Sequence, residues 1–511
     1  MPTNPNDTYT SPLASRNASP EMLRIWSPRH KFNTWRRIWL AVAEAQHEVT
    51  KDWETPLVSR EQVDELRAVV ERGITDEELA RASEIERDLR HDVMAHVHCL
   101  GEQCPKAKAI IHLGCTSQDV VCNADLLVTH QSLRAITTKL GRAIETLSAQ
   151  AIEHARTPTL GFTHYQSAQP VTVGRRCAGW AAELGMACKR TLDGFPQPRL
   201  RGLRGATGTQ ASFLKLLADD PEAVDGLERA FLERLLGQDG LMSELWFGSN
   251  HQYVELAAFD LTGQTYPRAY DSFILADLAS IASVLHKIAT DIRLLSNRKE
   301  IDEPFGSKQI GSSAMPYKRN PMKCERICGL TRFVMNLVGN AYDTAATQWL
   351  ERTLDDSSNR RLSLPEAFLA LDGALDLMHQ VASGLVVHEA MVRKNLMAEL
   401  PFLATENILM EAVKAGGDRQ ELHEKIRVHA QAAGMKVKQD GEDNDLIERL
   451  RGDEAFAPVH HLLTEDQLLD PMKYVGRSVE QTERFLKEVV EPLRERYGSE
   501  LESLGASDRG V

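Results

Sequence analysis

The chain has 511 residues, of which 42% are hydrophobic, 26% charged and 6% aromatic, a balance that allows a large core and about three domains. Its formal net charge of −13 speaks against a general nucleic-acid binder, so an anionic ligand must be met by a local basic pocket. No uninterrupted apolar run approaches the roughly 18 residues of a membrane-spanning helix, residues 1–7 carry no leader pattern, and the eight cysteines form no C-x-x-C pair; a cytoplasmic chain with free thiols and neither membrane nor nucleic-acid partner is the expectation.

Taken in order, residues 1–114 mix a Pro- and Ser-rich opening with helical patches such as Trp35 to Val49. Residues 115–386 are dominated by long proline-free stretches. These run from Pro105 to Pro158, Pro170 to Pro196, Pro267 to Pro304, Pro321 to Pro365 and Pro365 to Pro401. In the first, Leu126, Leu133, Leu140 and Leu147 recur every seven residues, with Ile136 and Ala143 between them. In the third, Ile274, Leu278, Ile281, Leu285, Ile288, Ile292 and Leu295 mark one helical face. A helix of about 30 residues is about 45 Å long, so these stretches predict an all-α fold of three helical domains around a long central five-helix bundle, shared with other copies of the chain. Strand signals are weak, with no βαβ rhythm and no Asn-Gly hairpin. Residues 387–511 form the third helical part, where the acidic stretch Asp440 to Asp445 reads as a solvated turn.

Four segments carry chemistry. Arg90 to Cys99 contains three histidines, an aspartate and a cysteine, but His91 and His96 are five apart and no pair has i, i+4 spacing, so no metal site is expected. Leu160 to Pro170 places His164 in a polar loop; it suits a proton donor to a departing nitrogen, or a structural role. Gln309 to Pro321 is a polar loop between two rods, an ordinary exposed connection except that it gathers serines, a lysine and an amide. Such neighbours could bind a carboxylate and favour an ionised serine. Glu351 to Arg361 offers guanidinium forks and hydroxyls suited to a phosphate monoester, or else a salt-bridged helix junction.

Residues 311–320, GSSAMPYKRN, resemble the signature G-S-S-x-M-P-x-K-x-N of the fumarase/aspartase superfamily, whose members eliminate a group from a succinyl unit and release fumarate. The resemblance implies Ser312 as the base that takes the Cβ proton. Lys318 and Asn320 would bind the neighbouring carboxylate, where charge accumulates and needs fixed donors. Residues 163–169 resemble the T-H-x-Q-x-A-Q of the adenylosuccinate lyase branch, which implies His164 as general acid and Thr163 as a substrate contact. The stretch R-H-D-V-M-A-H-V-H from Arg90 is similar to that branch too. It implies that His91 assists the acid or meets the succinyl group, with Arg90 and Asp92 in the same site and Asp92 orienting the imidazole. R-T-L-D-D-S-x-N-R-R from Arg352 resembles its nucleotide stretch, implying Arg352, Ser357 and Arg361 on phosphate or ribose, and Ser11 to Arg16 puts Arg16 on the phosphate. Weaker likenesses add Thr116 and Ser117 as a carboxylate turn, Gln264 as an amide contact, and Arg326 after the signature.

The likeness runs from Ser11 to about Leu493 and is to the eukaryotic type. It implies elimination of fumarate from adenylosuccinate and from succinyl-aminoimidazole carboxamide ribotide, with nucleotide substrates, no metal or cofactor, and a homotetramer whose sites draw on three chains. Three departures stand out. Asn17 replaces the usual tyrosine, Cys122 replaces a common aspartate, and residues 237–260, with Trp246, Phe247 and Tyr253, are longer than in relatives. The alternatives are a sister lyase for argininosuccinate, aspartate or malate, and a catalytically silent helical relative.

Overall fold

Helices begin where a side chain can take up the orphaned N–H groups of a first turn, and the N-terminal part shows this five times. In the computed structural model, which describes residues 7–195, 199–237, 239–242, 257–464, 470–495 and 498, Ser19, Ser27, Ser59, Thr75 and His91 cap α1 (Pro20–Ile25), α2 (Pro28–Thr50), α3 (Arg60–Arg72), α4 (Asp76–Leu89) and α5 (Asp92–Gln103). There follow α6 (Ser117–Glu153), strands β1 (Pro158–Thr163) and β2 (Gln166–Thr172), α7 (Val173–Gly194), α8 (Ala211–Leu216), α9 (Pro221–Leu236), α10 (Ala269–Asn297), α11 (Met322–Ala346) and α12 (Asp355–Ser383). The C-terminal part holds α13 (Glu389–Leu403), α14 (Thr405–Lys414), α15 (Arg419–Met435), α16 (Leu446–Arg451) and α17 (Ser478–Phe485).

The heptad leucines of α6 and the apolar face of α10 are buried together with α7, α11 and α12 in one elongated core. A second core joins Trp35 and Trp39 of α2 to α3, α5, the first turns of α6 and Phe231 and Leu235 of α9, so residues near 200–242 pack with the N-terminal part. A third lies within residues 404–463.

Polar pairs fix the directions of the rods. Asp125 meets Arg360, Lys139 meets Asp376, and Thr146 meets His379, so α6 and α12 run parallel. Arg360 also meets Asp271 at the start of α10. Trp180 bonds Asp291 and Arg190 bonds Asp277, so α7 is antiparallel to α10, and Cys328 at the start of α11 lies against His286 and Arg293 near the end of α10. One end of the bundle therefore carries the N-termini of α6, α10 and α12, and the other the N-termini of α7 and α11.

Two expectations need correction. Pro365 does not divide two rods: α11 stops at Ala346, and α12 runs through Pro365. A mid-helix proline costs about 3 kcal/mol, and burial of Leu364, Ala367, Phe368 and Leu371 around it offsets that cost. The polar loop at His164 is a β-hairpin. Thr163 pairs with Gln166, leaving His164 and Tyr165 as a two-residue turn with φ 54° and 56°, where Asn-Gly is the usual sequence signal. By length and composition α10 could cross a membrane, although charged residues such as Asp277 and Lys287 interrupt its apolar run. Its apolar side chains instead pack among α7, α11 and α12.

Candidate active site

The end of the bundle that bears the N-termini of α6 and α12 opens into a cavity of about 580 Å³, within the range of small-molecule sites. Seven of the residues singled out in the sequence line it: Arg90, His91, Asp92, Ser117, Arg352, Ser357 and Arg361. Two helix N-termini supply partial positive charge there. His91 sits at the cap of α5, where its Nδ1 accepts the Met94 N–H at 3.3 Å and its Nε2 lies 3.4 Å from Ser117 Oγ. Asp92 Oδ1 lies 4.0 Å from His91 Nδ1, close enough for an ion pair and too far for a hydrogen bond. A backbone donor already fixes Nδ1 as an acceptor, and the Asp92 carboxylate turns to Arg361, 3.1 Å away.

Arg352 is clamped from two sides, donating to Gln264 Oε1 at 2.9 Å and to Ser357 Oγ at 3.2 Å. Gln264 is thus brought to the cavity rim through Arg352. Thr116 stands at the head of α6, its N–H bonded to Asp119 at 2.7 Å. The buried Asp119 carboxylate also accepts from the N–H groups of Arg204 and Gly205 and from the Arg201 guanidinium, which pins the 201–205 loop to the first turn of α6. Beneath the cavity Arg360 bonds Asp271 at 2.6 Å, Asp125 at 3.0 Å, and the Tyr266 hydroxyl.

The remaining residues lie elsewhere. In residues 311–320, Ser312 Oγ accepts the N–H groups of Met315 at 3.1 Å and Ala314 at 3.4 Å. Two donors aimed at one hydroxyl oxygen favour its ionised form. Asn320 donates to Gly311 O at 2.8 Å, which closes the loop and ties Ser312 to the start of α11. Lys318 is exposed on the same loop, and Arg326 lies in the first turns of α11. His164 projects from the hairpin tip, exposed, with Thr163 beside it and Tyr165 Oη 3.5 Å from the carbonyl of Leu294 at the end of α10. The 25 residues of α11 span about 37 Å, so within one chain Ser312 and His164 stand at the opposite end of the bundle from His91 and Arg352.

Arg16 lies outside the cavity-lining set, on a short helical turn, Leu13–Asn17, that packs against Gly373 in the middle of α12. The Asn17 amide donates to Pro12 O at 3.0 Å. Cys122 is buried in α6 and donates to Gln118. Trp246, Phe247 and Tyr253 lie outside the described residues. Reading the sequence did not single out Lys31, Gln118, Asp125 or Arg360, all on the cavity wall. Gln118 and Arg360 adjoin Ser117 and Arg361, whereas Lys31 and Asp125 stand among ordinary helix residues, and the packing of α6 against α2 and α12 turns all four toward one space. The histidines near His91 diverge: His96 stacks on Phe32 with ring centroids 3.7 Å apart, and burial pushes its imidazole down to about 4.

A family model described as "Lyase" matches residues 14–216 and 259–336, and one described as "Adenylosuccinate lyase C-terminus" matches residues 401–485. Among solved structures, 3-carboxy-cis,cis-muconate lactonizing enzyme from Pseudomonas putida superposes with a TM-score of 0.75 at 25% identity, covering 94% of this chain and 98% of that one. Fumarate lyase from Mesorhizobium sp. BNC1 does so with a TM-score of 0.75 at 21% identity, over 94% of this chain and 100% of that one. Long helices and signature loop together define an all-α lyase of the fumarase/aspartase superfamily. Curated relatives are similar over nearly their whole length. Adenylosuccinate lyase of Saccharomyces cerevisiae is 46% identical over 95% of each chain, that of Schizosaccharomyces pombe 45% over 94% of this chain and 95% of its own, and that of Schistosoma mansoni 42% over 96% and 97%. The chain belongs to the adenylosuccinate lyase family.

Proposed function

We propose that the chain eliminates fumarate from adenylosuccinate, leaving AMP, and from succinyl-aminoimidazole carboxamide ribotide, within purine biosynthesis. The cavity carries this reading. Lys31, Arg90, Arg352, Arg360 and Arg361 line it against Glu86, Asp92 and Asp125, leaving two positive charges in excess beside two helix N-termini. That charge suits a phosphate dianion, whereas sister lyases acting on amino acids or malate have no phosphate to place there.

In this reading Ser312 removes the Cβ proton. The C–H electron pair becomes the new Cα–Cβ double bond, the C–N bond breaks, and His164 protonates the departing nitrogen. Its exposed place at a hairpin tip allows the imidazole to enter a site built by another chain. The left-handed turn costs on the order of 1–3 kcal/mol per residue and is the kind of strain retained at working sites. Lys318 faces the carboxylate that gains charge as the proton leaves. The reaction needs only a side-chain base and an imidazolium, so no metal or organic cofactor belongs to the reading.

Sites are composite, assembled from three chains of a homotetramer. Support comes from the distance between the two ends of the bundle, which one small nucleotide cannot span. Further support comes from large apolar side chains left exposed on the bundle: Phe273, Phe333, Tyr342, Trp349, Leu354 and Leu362. A cytoplasmic setting is part of the same reading, in keeping with eight free thiols. The deciding experiment follows fumarate release in the ultraviolet with adenylosuccinate, argininosuccinate and malate offered in turn. Release from adenylosuccinate alone is expected; turnover of either other substrate, or of none, overturns the reading.

A further inference from the structure

Every arginine that lines the cavity near α12 already has a protein partner. Arg360 is bonded to Asp125 and Asp271, Arg361 to Asp92, and Arg352 to Gln264 and Ser357. Lys31, on α2, is different. It lines the same cavity, yet among the described residues its ammonium makes no hydrogen bond and no ion pair. What surrounds it on the protein side is aromatic: Nζ lies 4.8 Å from the Trp35 ring centroid and 5.2 Å from that of Phe32. An ammonium over two rings keeps its charge in a partly desolvated place, but the rings accept none of its three N–H donors in a conventional hydrogen bond.

The carboxylates nearby do not meet that need. Asp125 and Asp92 are each committed to an arginine, and neither comes within ion-pair distance of Lys31. Burial and the like charge of Arg361 act to lower the Lys31 pKa, which is held below the ordinary lysine value, with Asp125, Asp92 and Glu86 opposing. Lys31 and Arg361 acting on one another across a partly buried cavity, with Lys31 lacking an acceptor, is an unfavourable arrangement that an anion between them would relieve.

We propose that Lys31 is a further substrate-binding residue, donating to the phosphate of the bound nucleotide opposite Arg361 and Ser357. This rests on the nucleotide reading given above. The compact ammonium acts as a point charge, while the arginines supply planar forks. Lys31 acts on binding and takes no part in proton transfer, so its loss is felt in affinity before turnover.

The test uses the full-length assembled protein in three forms: wild type, Lys31→Met, which keeps the aliphatic stem and removes the charge, and Lys31→Arg. Calorimetry with AMP and with inorganic phosphate reads the site without turnover, and far-ultraviolet circular dichroism with thermal unfolding confirms that the variants fold. The expected result is at least a tenfold rise in Kd for both ligands in Lys31→Met, with Lys31→Arg within threefold of wild type. KM for adenylosuccinate should rise by a similar factor with kcat changed less than about threefold. The dephosphorylated nucleoside of adenylosuccinate should show the same kcat/KM in wild type and Lys31→Met. Unchanged phosphate and AMP affinity in folded Lys31→Met overturns the proposal, leaving Lys31 a packing residue. An equal loss on nucleoside and nucleotide also overturns it, by moving the contact to a succinyl carboxylate. Failure of wild type to release fumarate from any succinyl nucleotide would sink the activity reading alone, since the AMP and phosphate titrations do not depend on turnover.

Discussion

Ser312 Oγ accepts the backbone N–H of Met315 at 3.1 Å, and the N–H of Ala314 converges on the same oxygen. A neutral hydroxyl gains less from two such donors than an alkoxide does, so the loop is arranged for the charged form of its serine. In the proposed mechanism Ser312→Ala removes the base, and it leaves the cavity at the far end of the bundle intact. Turnover of adenylosuccinate should fall at least about a thousandfold while AMP still binds with near-native affinity. Stopped assays with calorimetry on the same preparation check both halves, and turnover within tenfold of wild type would end the assignment of the base.

If, as proposed, Ser312 and His164 reach each site from different chains, variants inactive in one or the other should complement one another. Mixing His164→Ala with Ser312→Ala and allowing subunits to exchange should produce sites that hold a native copy of each loop, restoring a fraction of wild-type activity. Exchange shown by differently tagged chains, with no recovery, would mean that Ser312 and His164 reach each site from the same chain.

The bundle core contains a charged knot. Lys139, with its side chain almost fully buried, bonds Asp372 and lies 2.9 Å from Asp376, which also meets Arg142 at 2.7 Å. Ser19 donates through both its N–H and its hydroxyl to Asp372, fixing α1 to α12. Lys139→Met leaves two carboxylates short of a cation, a loss of about 3–5 kcal/mol by the usual cost of breaking a buried pair. Urea unfolding should show a much lower midpoint; a change below about 1 kcal/mol would mean that the knot relaxes around its missing member.

Burial pushes the imidazoles of His96 and His130 down to about 4, while the unfolded chain titrates near 6.5. Between those values the unfolded state binds protons that the folded state refuses, so stability is complete above about pH 6.5 and falls as the pH drops toward 4. The slope is about 1.4 kcal/mol per pH unit for each proton taken up on unfolding. Denaturant unfolding from pH 7 to 5 should show it, and His130→Gln should reduce the slope by close to one proton. An identical slope in the variant would show that His130 is protonated in the fold.

Much of this protein is written locally. Leu126, Leu133, Leu140 and Leu147 lie on one face of α6 whatever surrounds them, because helix geometry alone sets which residues share a side. The same holds for Ser312, Lys318 and Asn320, which are close in the chain and must share one loop. Tertiary structure decided the rest. Pro365 reads as a breaker until the buried side chains around it are seen to offset its cost. His164 and Tyr165 accept left-handed backbone only because β1 and β2 pair on either side of them. Lys31, Asp125 and Arg360 come from α2, α6 and α12, and nothing in the residues flanking each one says that they face a single cavity. That meeting depends on how three helices pack, and packing is a property of contacts between residues hundreds of positions apart, which no local pattern encodes.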